Sequence, residues 1–324
     1  EGMPLAIEMA SSWMEMLCLP EIVKEIRSGL AFFETDICDI PERQHSLYAV
    51  FDYTWKNLDI KEREQFSQLT IFRGGFTREA AEKVVGISLR QLVGFVNRSI
   101  LIRTPEDRFE IHELLRQYGL EKLQTSLAGY QHLITHYAAY YCSKMGALNK
   151  DMKAGKQRQA MIRISTDFEN IRHAWEVALH FERLDLIDNS LGGFIMYFAY
   201  SFRDDEGLAL FEMAAENISD DTREGVRILS LLKGYLVLLY FTLGNSGQVE
   251  QNYQDNLDLI HRLAPIQTRE EKYARAFHIY IRGVYHDYLG DPHSFRTLGL
   301  QAIKLFEELG EDWWCETIYL RSGS

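Results

Sequence analysis

A stretch in the first third of the chain reads Ile100-Leu101-Ile102-Arg103-Thr104-Pro105-Glu106-Asp107-Arg108-Phe109-Glu110-Ile111. Two short runs in which apolar and polar residues alternate flank a Pro/Asp turn, and this pattern predicts a β-hairpin. Helical patterns precede the hairpin, and a final helix is predicted from Glu113 to Leu123. Helices followed by one hairpin and a last helix predict a winged-helix domain.

Local signals set the starts and ends of these helices. Asp59-Ile60-Lys61-Glu62 reads as a capping box that starts one helix. That helix is expected to continue through Phe66 and Leu69 and to end at Gly74-Gly75, a strong stop signal. Further helices are predicted to start at Thr77 and at Leu89.

The last third of the chain contains a degenerate internal repeat. Tyr240–Gly244 can be superposed on His286–Gly290 at an offset of 46 residues. Apolar residues further along then coincide, namely Leu257 with Ile303, Ile260 with Phe306 and Leu263 with Leu309. The offset exceeds the about 34 residues of a tetratricopeptide unit and is closer to HEAT-like lengths. However, Gly283, Gly290 and Ala302 sit where tetratricopeptide helices need small residues for close crossing. We therefore predict a mainly α fold, in which the winged-helix domain is followed by an α-solenoid of tetratricopeptide-like helix pairs. A new helix is expected at Asp312, so that Ser324 interrupts an unfinished repeat.

Composition excludes some function classes. The chain has 324 residues, of which 46% are hydrophobic and 25% charged, as in ordinary soluble proteins. A net charge of −12 argues against a protein made mainly to coat nucleic acid. The four cysteines are scattered without a CxxC pair, which favours free thiols in the cytoplasm over disulfides or a metal site. The most apolar stretches, 191–202 and 234–243, fall short of the roughly 20 residues that span a bilayer, so no membrane association is expected.

Two motifs give the chain a family resemblance. The N-terminus reads Gly2-Met3-Pro4-Leu5-Ala6-Ile7-Glu8, and the hairpin leads into Ile111-His112-Glu113-Leu114-Leu115-Arg116-Gln117-Tyr118. These resemble the GxP and Met-His-Asp motifs of the STAND signalling ATPases, which include NB-ARC resistance proteins and large bacterial transcriptional activators. The resemblance implies that Pro4 packs on adenine and that His112 senses the phosphates of bound ADP in an off state. Glu113 stands where the family pattern usually has Asp.

Other phrases are similar to those of the bacterial STAND activators. Phe72-Arg73-Gly74-Gly75-Phe76-Thr77 and Asn97-Arg98-Ser99 look like parts of their winged helix. Asp167-Phe168-Glu169-Asn170-Ile171-Arg172-His173-Ala174-Trp175 resembles the helix that leads from the winged helix into the sensor repeats. The resemblance implies four regions: a remnant of the small helical domain at 1–40, a winged helix at 41–125, a helical linker at 126–225 and repeats at 226–324.

A phosphate-binding loop is absent from the sequence. Gly-Lys occurs once, at Gly155-Lys156, and is followed by Gln157 without the glycine spacing of the motif. We therefore expect no catalytic residues and no enzyme activity in this chain. ADP or ATP is expected in a longer parent protein, with no nucleotide held tightly by this chain alone. A start at Glu1-Gly2 also suggests a fragment.

The predicted function is the regulatory and sensor portion of a STAND switch. Its partners would be its own missing nucleotide-binding domain and an unknown inducer or protein on the solenoid, with oligomerisation on activation. One alternative is a tetratricopeptide-like scaffold with no nucleotide role. A second is a DNA-binding regulator that uses Arg90, Arg98 and Arg103. Residues 41–124 contain 13 Lys/Arg and 12 Asp/Glu, too balanced for the clustered positive charge that phosphate contact needs, so direct DNA binding is not expected.

Each candidate residue also has a structural explanation. His112 could be a histidine at the end of a hairpin whose ring is satisfied by the backbone, and Pro4 could simply start a helix. His132 and His136 are spaced like zinc ligands but lack a third partner. The eight carboxylates of residues 204–224 are typical of a solvated face. Most aromatic residues of the last third are expected in the core, with a minority on an inner groove: Tyr240, Tyr253, Tyr280, Tyr285, Tyr288, Trp313 and Trp314.

Overall fold

The computed structural model describes residues 51–124 and 127–321, together with residues 11, 14 and 17–24. Packing divides the chain into two compact units. The first comprises the residues up to Tyr141 and the segment Asp167–Ala174, and the second comprises Cys142–Thr166 and the chain from Trp175 onward. The four regions inferred from the sequence stay predictions, and most of 1–40 lies outside the described residues.

The first unit contains the region predicted to be a winged helix. After a helical segment at 51–57, its elements are α1 (Ile60–Leu69), β1 (Phe76–Thr77), α2 (Arg78–Val85), α3 (Leu89–Asn97), β2 (Ile102–Arg103), β3 (Arg108–Glu110) and α4 (Glu113–Gln124). The three strands form an antiparallel sheet in the order β1-β3-β2, with Phe76 opposite Phe109. The structure confirms the predicted hairpin and adds β1, whose two residues are too few to show an alternating pattern.

Helix α1 shows where local signals succeed and where they fail. The predicted capping box is present, since Asp59 Oδ1 accepts from the Glu62 N–H at 2.8 Å and Glu62 Oε2 accepts from the Asp59 N–H at 3.0 Å. The expectation that α1 extends to Gly74-Gly75 is wrong, because the helix ends at Leu69. A tighter turn follows and carries Phe72 into the core, where its ring stacks on Phe76 with centroids 4.5 Å apart. Burial of Phe72 outweighs continuation of the helix.

Aromatic packing and one close approach hold α4 against α1. Phe51, Phe66 and Tyr118 form a cluster, with the Phe51 centroid 5.4 Å from Phe66 and 5.0 Å from Tyr118. Gly119 lies at the crossing, where a Cβ atom would approach Thr70 Cγ2 to 2.5 Å. A residue larger than glycine would therefore force the two helices apart.

Two long helices contribute to both units. Helix α5 (Leu127–Asp151) and helix α6 (Gln157–His180) are separated by a kink at Met152–Lys156, where Gly155 has φ +80°. The segment 167–175, which resembles the helix that leads into the sensor repeats, lies within α6. The remaining helices are α7 (Leu184–Ser201), α8 (Asp204–Asn217), α9 (Arg223–Leu243), α10 (Ser246–Arg262), α11 (Arg269–Tyr288), α12 (Pro292–Leu309) and α13 (Asp312–Arg321).

The second unit contains the predicted solenoid of helix pairs, and one further pair precedes it in the region predicted as a helical linker. Helices α7 and α8, α9 and α10, and α11 and α12 form successive pairs, and α13 begins at Asp312 as expected. Gly244 and Gly290, which the sequence repeat aligns, follow α9 and α11 with φ of +75° and +86°. Glycine is favoured there because it reaches this left-handed conformation without steric cost. After α7 the residue in this left-handed conformation is Phe202, with φ +56°.

Helix α9 is long and strongly apolar. By length and composition it could cross a membrane, with a mean hydropathy of 1.6 over its best window. However, 67% of that window is buried inside the protein, and Tyr235 stacks on Phe277 of α11 with centroids 4.4 Å apart. Its apolar composition is therefore accounted for by the solenoid core.

Candidate functional site

His112 lies at the junction between the hairpin and α4. Strand β3 ends at Glu110, and His112 directly precedes the helix, where its carbonyl oxygen accepts the Arg116 N–H at 2.9 Å. Its ring Nδ1 accepts the Leu114 N–H at 3.3 Å. Because Nδ1 is an acceptor, the neutral ring carries its proton on Nε2. Among the described residues, Nε2 has no hydrogen-bond partner, so a half-buried ring presents one N–H donor beside a helix N-terminus.

Charged side chains follow His112 in the first turn of α4. Arg116 donates from Nε and Nη2 to the two carboxylate oxygens of Glu113, at 2.8 and 2.7 Å. These bonds are the main reason why the pKa of Glu113 lies below its usual range, and the charge of Arg73 lowers it further. The Glu113 carboxylate is thus paired with Arg116, and the charge of Arg73 acts on it more weakly. An anion that approached Nε2 would meet the positive end of α4 without an unpaired carboxylate next to it.

The loop that carries Arg73 is fixed by polar side chains of α6. Asn170 Oδ1 accepts the Arg73 N–H at 2.8 Å, and Asn170 Nδ2 donates to the Gly75 carbonyl oxygen at 3.0 Å. The Tyr137 hydroxyl donates to the same Oδ1 at 3.1 Å. Because Asn170 is 1% exposed, these partners satisfy an amide that would otherwise be costly to bury.

A buried ion pair also attaches this loop to α6. Arg108 Nη2 of β3 donates to Asp167 Oδ1 at 2.7 Å, and the two side chains are 11% and 4% exposed. Arg108 also donates to the Gly75 carbonyl oxygen. The sequence singled out 72–77 and 167–175 by resemblance, without assigning them a role. One signal was available: Asp167 and Asn170 are polar residues on the apolar stripe of α6 that contains Ile164, Ile171 and Ala174.

The arginines considered for DNA contact are mostly engaged within the protein. Arg98 pairs with Glu62 at 2.7 Å, and Arg103 pairs with Asp107 across the hairpin turn. Arg90 is exposed on α3, but the same surface shows Leu89 and Val93, which are 42% and 44% exposed. This surface lacks the cluster of unpaired positive charge that phosphate binding requires.

The other candidate residues are the histidine pair of α5 and Pro4. The rings of His132 and His136 lie 5.4 Å apart on α5. Within the described residues, no group of three or more His, Cys, Asp or Glu side chains could hold a metal ion. Pro4 lies outside the described residues, so its role on the adenine side stays a prediction.

Most of the aromatic residues of the solenoid are core residues, as expected. Tyr240, Tyr253, Tyr280, Tyr285 and Trp314 are each less than 10% exposed. Trp313 is half-buried, and its Nε1 donates to the hydroxyl of Tyr200 at 2.7 Å.

Comparison with known proteins gives partial similarities. No family model matches the chain. Three curated proteins match at 28% identity over 185 residues: one from Mycobacterium bovis and two from strains of Mycobacterium tuberculosis. Their names describe them, provisionally, as HTH-type transcriptional regulators. The match covers 54% of this chain and 21% of each relative, so the chain spans about a fifth of the length of the curated relatives it matches.

A solved structure is similar over the whole chain. It is the crystal structure of a STAND protein with a tetratricopeptide repeat sensor from Pyrococcus horikoshii. The match covers 100% of this chain and 51% of that chain, at 12% identity and a TM-score of 0.44. The similarity is thus to a member of the family that the sequence motifs resemble.

Proposed function

We propose that this chain is the regulatory and sensor portion of a STAND-type switch. In this proposal the winged helix holds an ADP-bound off state, and the solenoid senses a ligand or a protein. The observation that carries the proposal is the ring of His112, whose Nδ1 is occupied by the Leu114 N–H and whose Nε2–H is directed away from that bond. The family motif that the surrounding residues resemble uses its histidine to contact the phosphates of ADP.

The geometry around His112 suits a phosphate group. A fixed tautomer supplies one donor, the first turn of α4 supplies a positive dipole, and the charges of Arg73 and Arg116 offset Glu113. Such a contact would tie the winged helix to a nucleotide held by a separate nucleotide-binding domain. An inducer would open the switch only if it bound the open state more tightly than the closed state.

Substitution of His112 separates this role from a purely structural one. In a protein that carries the nucleotide-binding domain, His112→Ala should weaken ADP retention by roughly 10- to 100-fold, because a hydrogen bond to a charged group contributes about 1.5–3 kcal/mol. Basal output should rise because the off state is less stable. Bound nucleotide after purification, the ADP dissociation constant and reporter output measure these effects.

The variant His112→Asn is the matched control. Asparagine can still accept the N–H groups of the first helical turn, so stability should be preserved, but its amide does not reproduce the position of Nε2–H. ADP retention should fall in both variants. If His112→Asn keeps its nucleotide and its basal output, while His112→Ala merely unfolds more easily, the histidine is a helix cap and the scaffold alternative is favoured.

The winged-helix topology keeps DNA binding as a second candidate. That candidate predicts binding to duplex DNA that weakens steeply with salt and is lost on replacing Arg90 and Arg98. We expect weak binding that these substitutions leave unchanged, because Arg98 is paired with Glu62 and the exposed surface of α3 is partly apolar. Fluorescence anisotropy of labelled duplex DNA, measured with the native chain and the Arg90 and Arg98 variants over a range of salt concentrations, distinguishes these two outcomes.

A further inference from the structure

A cleft of about 360 Å³ lies within the second unit. The turn between α6 and α7 forms one side, and the turn between α8 and α9 forms the other. Its floor includes the buried side chains of Leu179, Ile187 and Ile218, while Glu182, Ser219 and Asp221 line its mouth. This volume falls at the lower end of the range of small-molecule sites, and the combination of an apolar floor with a few polar groups is typical of them.

The two carboxylates at the mouth have no cationic partner among the described residues. Asp221 accepts a hydrogen bond from the Ser219 hydroxyl at 2.6 Å. The nearby arginines are engaged elsewhere, since Arg183 binds both oxygens of Asp185 and Arg223 binds Glu271. Arg262 pairs with Asp220, next to the cleft in sequence. The mouth therefore carries unneutralised negative charge over an apolar floor.

Glu182 lines the cleft from a left-handed backbone position. Glu182 has φ +51° at the end of α6, where its N–H bonds to the Leu179 carbonyl oxygen and the next N–H bonds to that of Ala178. Glycine occupies comparable left-handed positions after α9, α11 and α12. A side chain at such a position is sterically disfavoured, and residues of this kind occur preferentially at functional sites. Here the disfavoured residue supplies a carboxylate to the cleft.

We propose that this cleft binds a small organic cation, an aliphatic amine or guanidinium compound. The cationic group would meet Glu182 and Asp221, and the alkyl part would pack on Leu179, Ile187 and Ile218. Charge complementarity selects the cation, and the apolar floor selects a compound with a hydrocarbon body over an inorganic ion. This site is independent of the nucleotide proposal, because none of its residues belongs to the winged-helix unit.

Calorimetric titration of the chain with agmatine and with hexylamine tests the proposal. Each should bind once per chain, more weakly as salt increases, whereas hexanol and hexanoate should show no saturable binding. The double variant Glu182→Gln with Asp221→Asn should lose roughly tenfold or more in affinity, because it removes two charge-assisted contacts. Failure of both amines to bind the native chain would overturn the proposal.

Two further variants separate a built site from general acidity. Asp205→Asn with Glu216→Gln changes the net charge equally, at exposed carboxylates of the same acidic stretch that do not line the cleft, and should leave the affinity within about twofold. An equal loss in this control would mean that the amines bind the acidic surface at large, against the proposal. Glu182→Gly should raise the melting temperature by relieving the backbone while it weakens amine binding. A variant that is more stable and binds amines as before would exclude Glu182 from the site.

Discussion

Replacing Asp167 with alanine is expected to destabilise the first unit by about 3–5 kcal/mol, the usual cost of removing one partner of a buried ion pair. The Arg108 guanidinium would remain almost fully buried. Among the described residues, the Gly75 carbonyl oxygen would be its remaining hydrogen-bond acceptor. Its lost counter-charge cannot be replaced by water in so closed a position. Native-state hydrogen exchange of amides between residues 60 and 124 measures the effect in this unit alone.

A matched control lies two residues further along the same helix. Glu169 pairs with Arg172 at 2.8 Å, but the two side chains are 56% and 42% exposed. Glu169→Ala should therefore cost less than about 1 kcal/mol. Addition of Arg108→Met to Asp167→Ala should recover part of the loss, because it removes the unpaired charge. Equal effects of the Asp167 and Glu169 substitutions would show that the buried pair does not hold the loop 72–75 to α6.

The second unit is expected to lose about 3 kcal/mol of unfolding free energy as the pH falls from about 6.5 to about 4, through His278. Burial lowers the pKa of His278 to about 4, and the charges of Arg282, His261 and Arg275 act in the same direction. In the unfolded chain histidine binds its proton near pH 6.5. On acidification the unfolded state therefore takes up a proton before the folded state does. The contribution of His278 to the unfolding free energy is fully present above about pH 6.5, and it is lost progressively until the folded state is also protonated near pH 4.

Burial and a short polar contact explain why the folded state resists this protonation. The His278 ring is 7% exposed, and its Nδ1 lies 2.5 Å from Asn256 Oδ1. Asn256 Nδ2 in turn donates to the Ser230 carbonyl oxygen at 2.6 Å. Because an amide oxygen only accepts, the neutral ring already donates to Asn256 from Nδ1. Protonation would add a second N–H at Nε2 and a charge that is buried away from water.

Urea titrations at a series of pH values measure the predicted loss. His278→Gln should flatten the decrease between about pH 7 and pH 5, whereas His180→Gln, at an exposed histidine of the same unit, should leave it unchanged. This window avoids Glu271, whose pKa the Arg223 side chain lowers to about 2 and whose contribution is lost only as the pH falls below about 4.5. An unchanged decrease in His278→Gln would assign the pH dependence to other groups.

Local chemistry in the sequence was enough to predict much of the fold. The Asp59 capping box, the turn at Pro105 and the aligned glycines 244 and 290 act within a few residues, so each is legible without knowledge of the packing. The prediction was wrong where contacts with residues elsewhere in the chain determine the local structure. Helix α1 stops short of Gly74 because Phe72 packs on Phe76, and β1 exists because β3 offers it an edge.

The sequence by itself determined a mainly α chain with one β-hairpin and a repeating solenoid, because caps, turns and hydrophobic periods are local properties. The tertiary structure alone decided what the polar residues do. Asn170 holds a loop more than ninety residues earlier in the chain, and Asp167 pairs with Arg108, 59 residues earlier. Glu182 and Asp221 line the same cleft. Burial and hydrogen bonding depend on which distant atoms exclude water from a group, and no short stretch of sequence encodes that information.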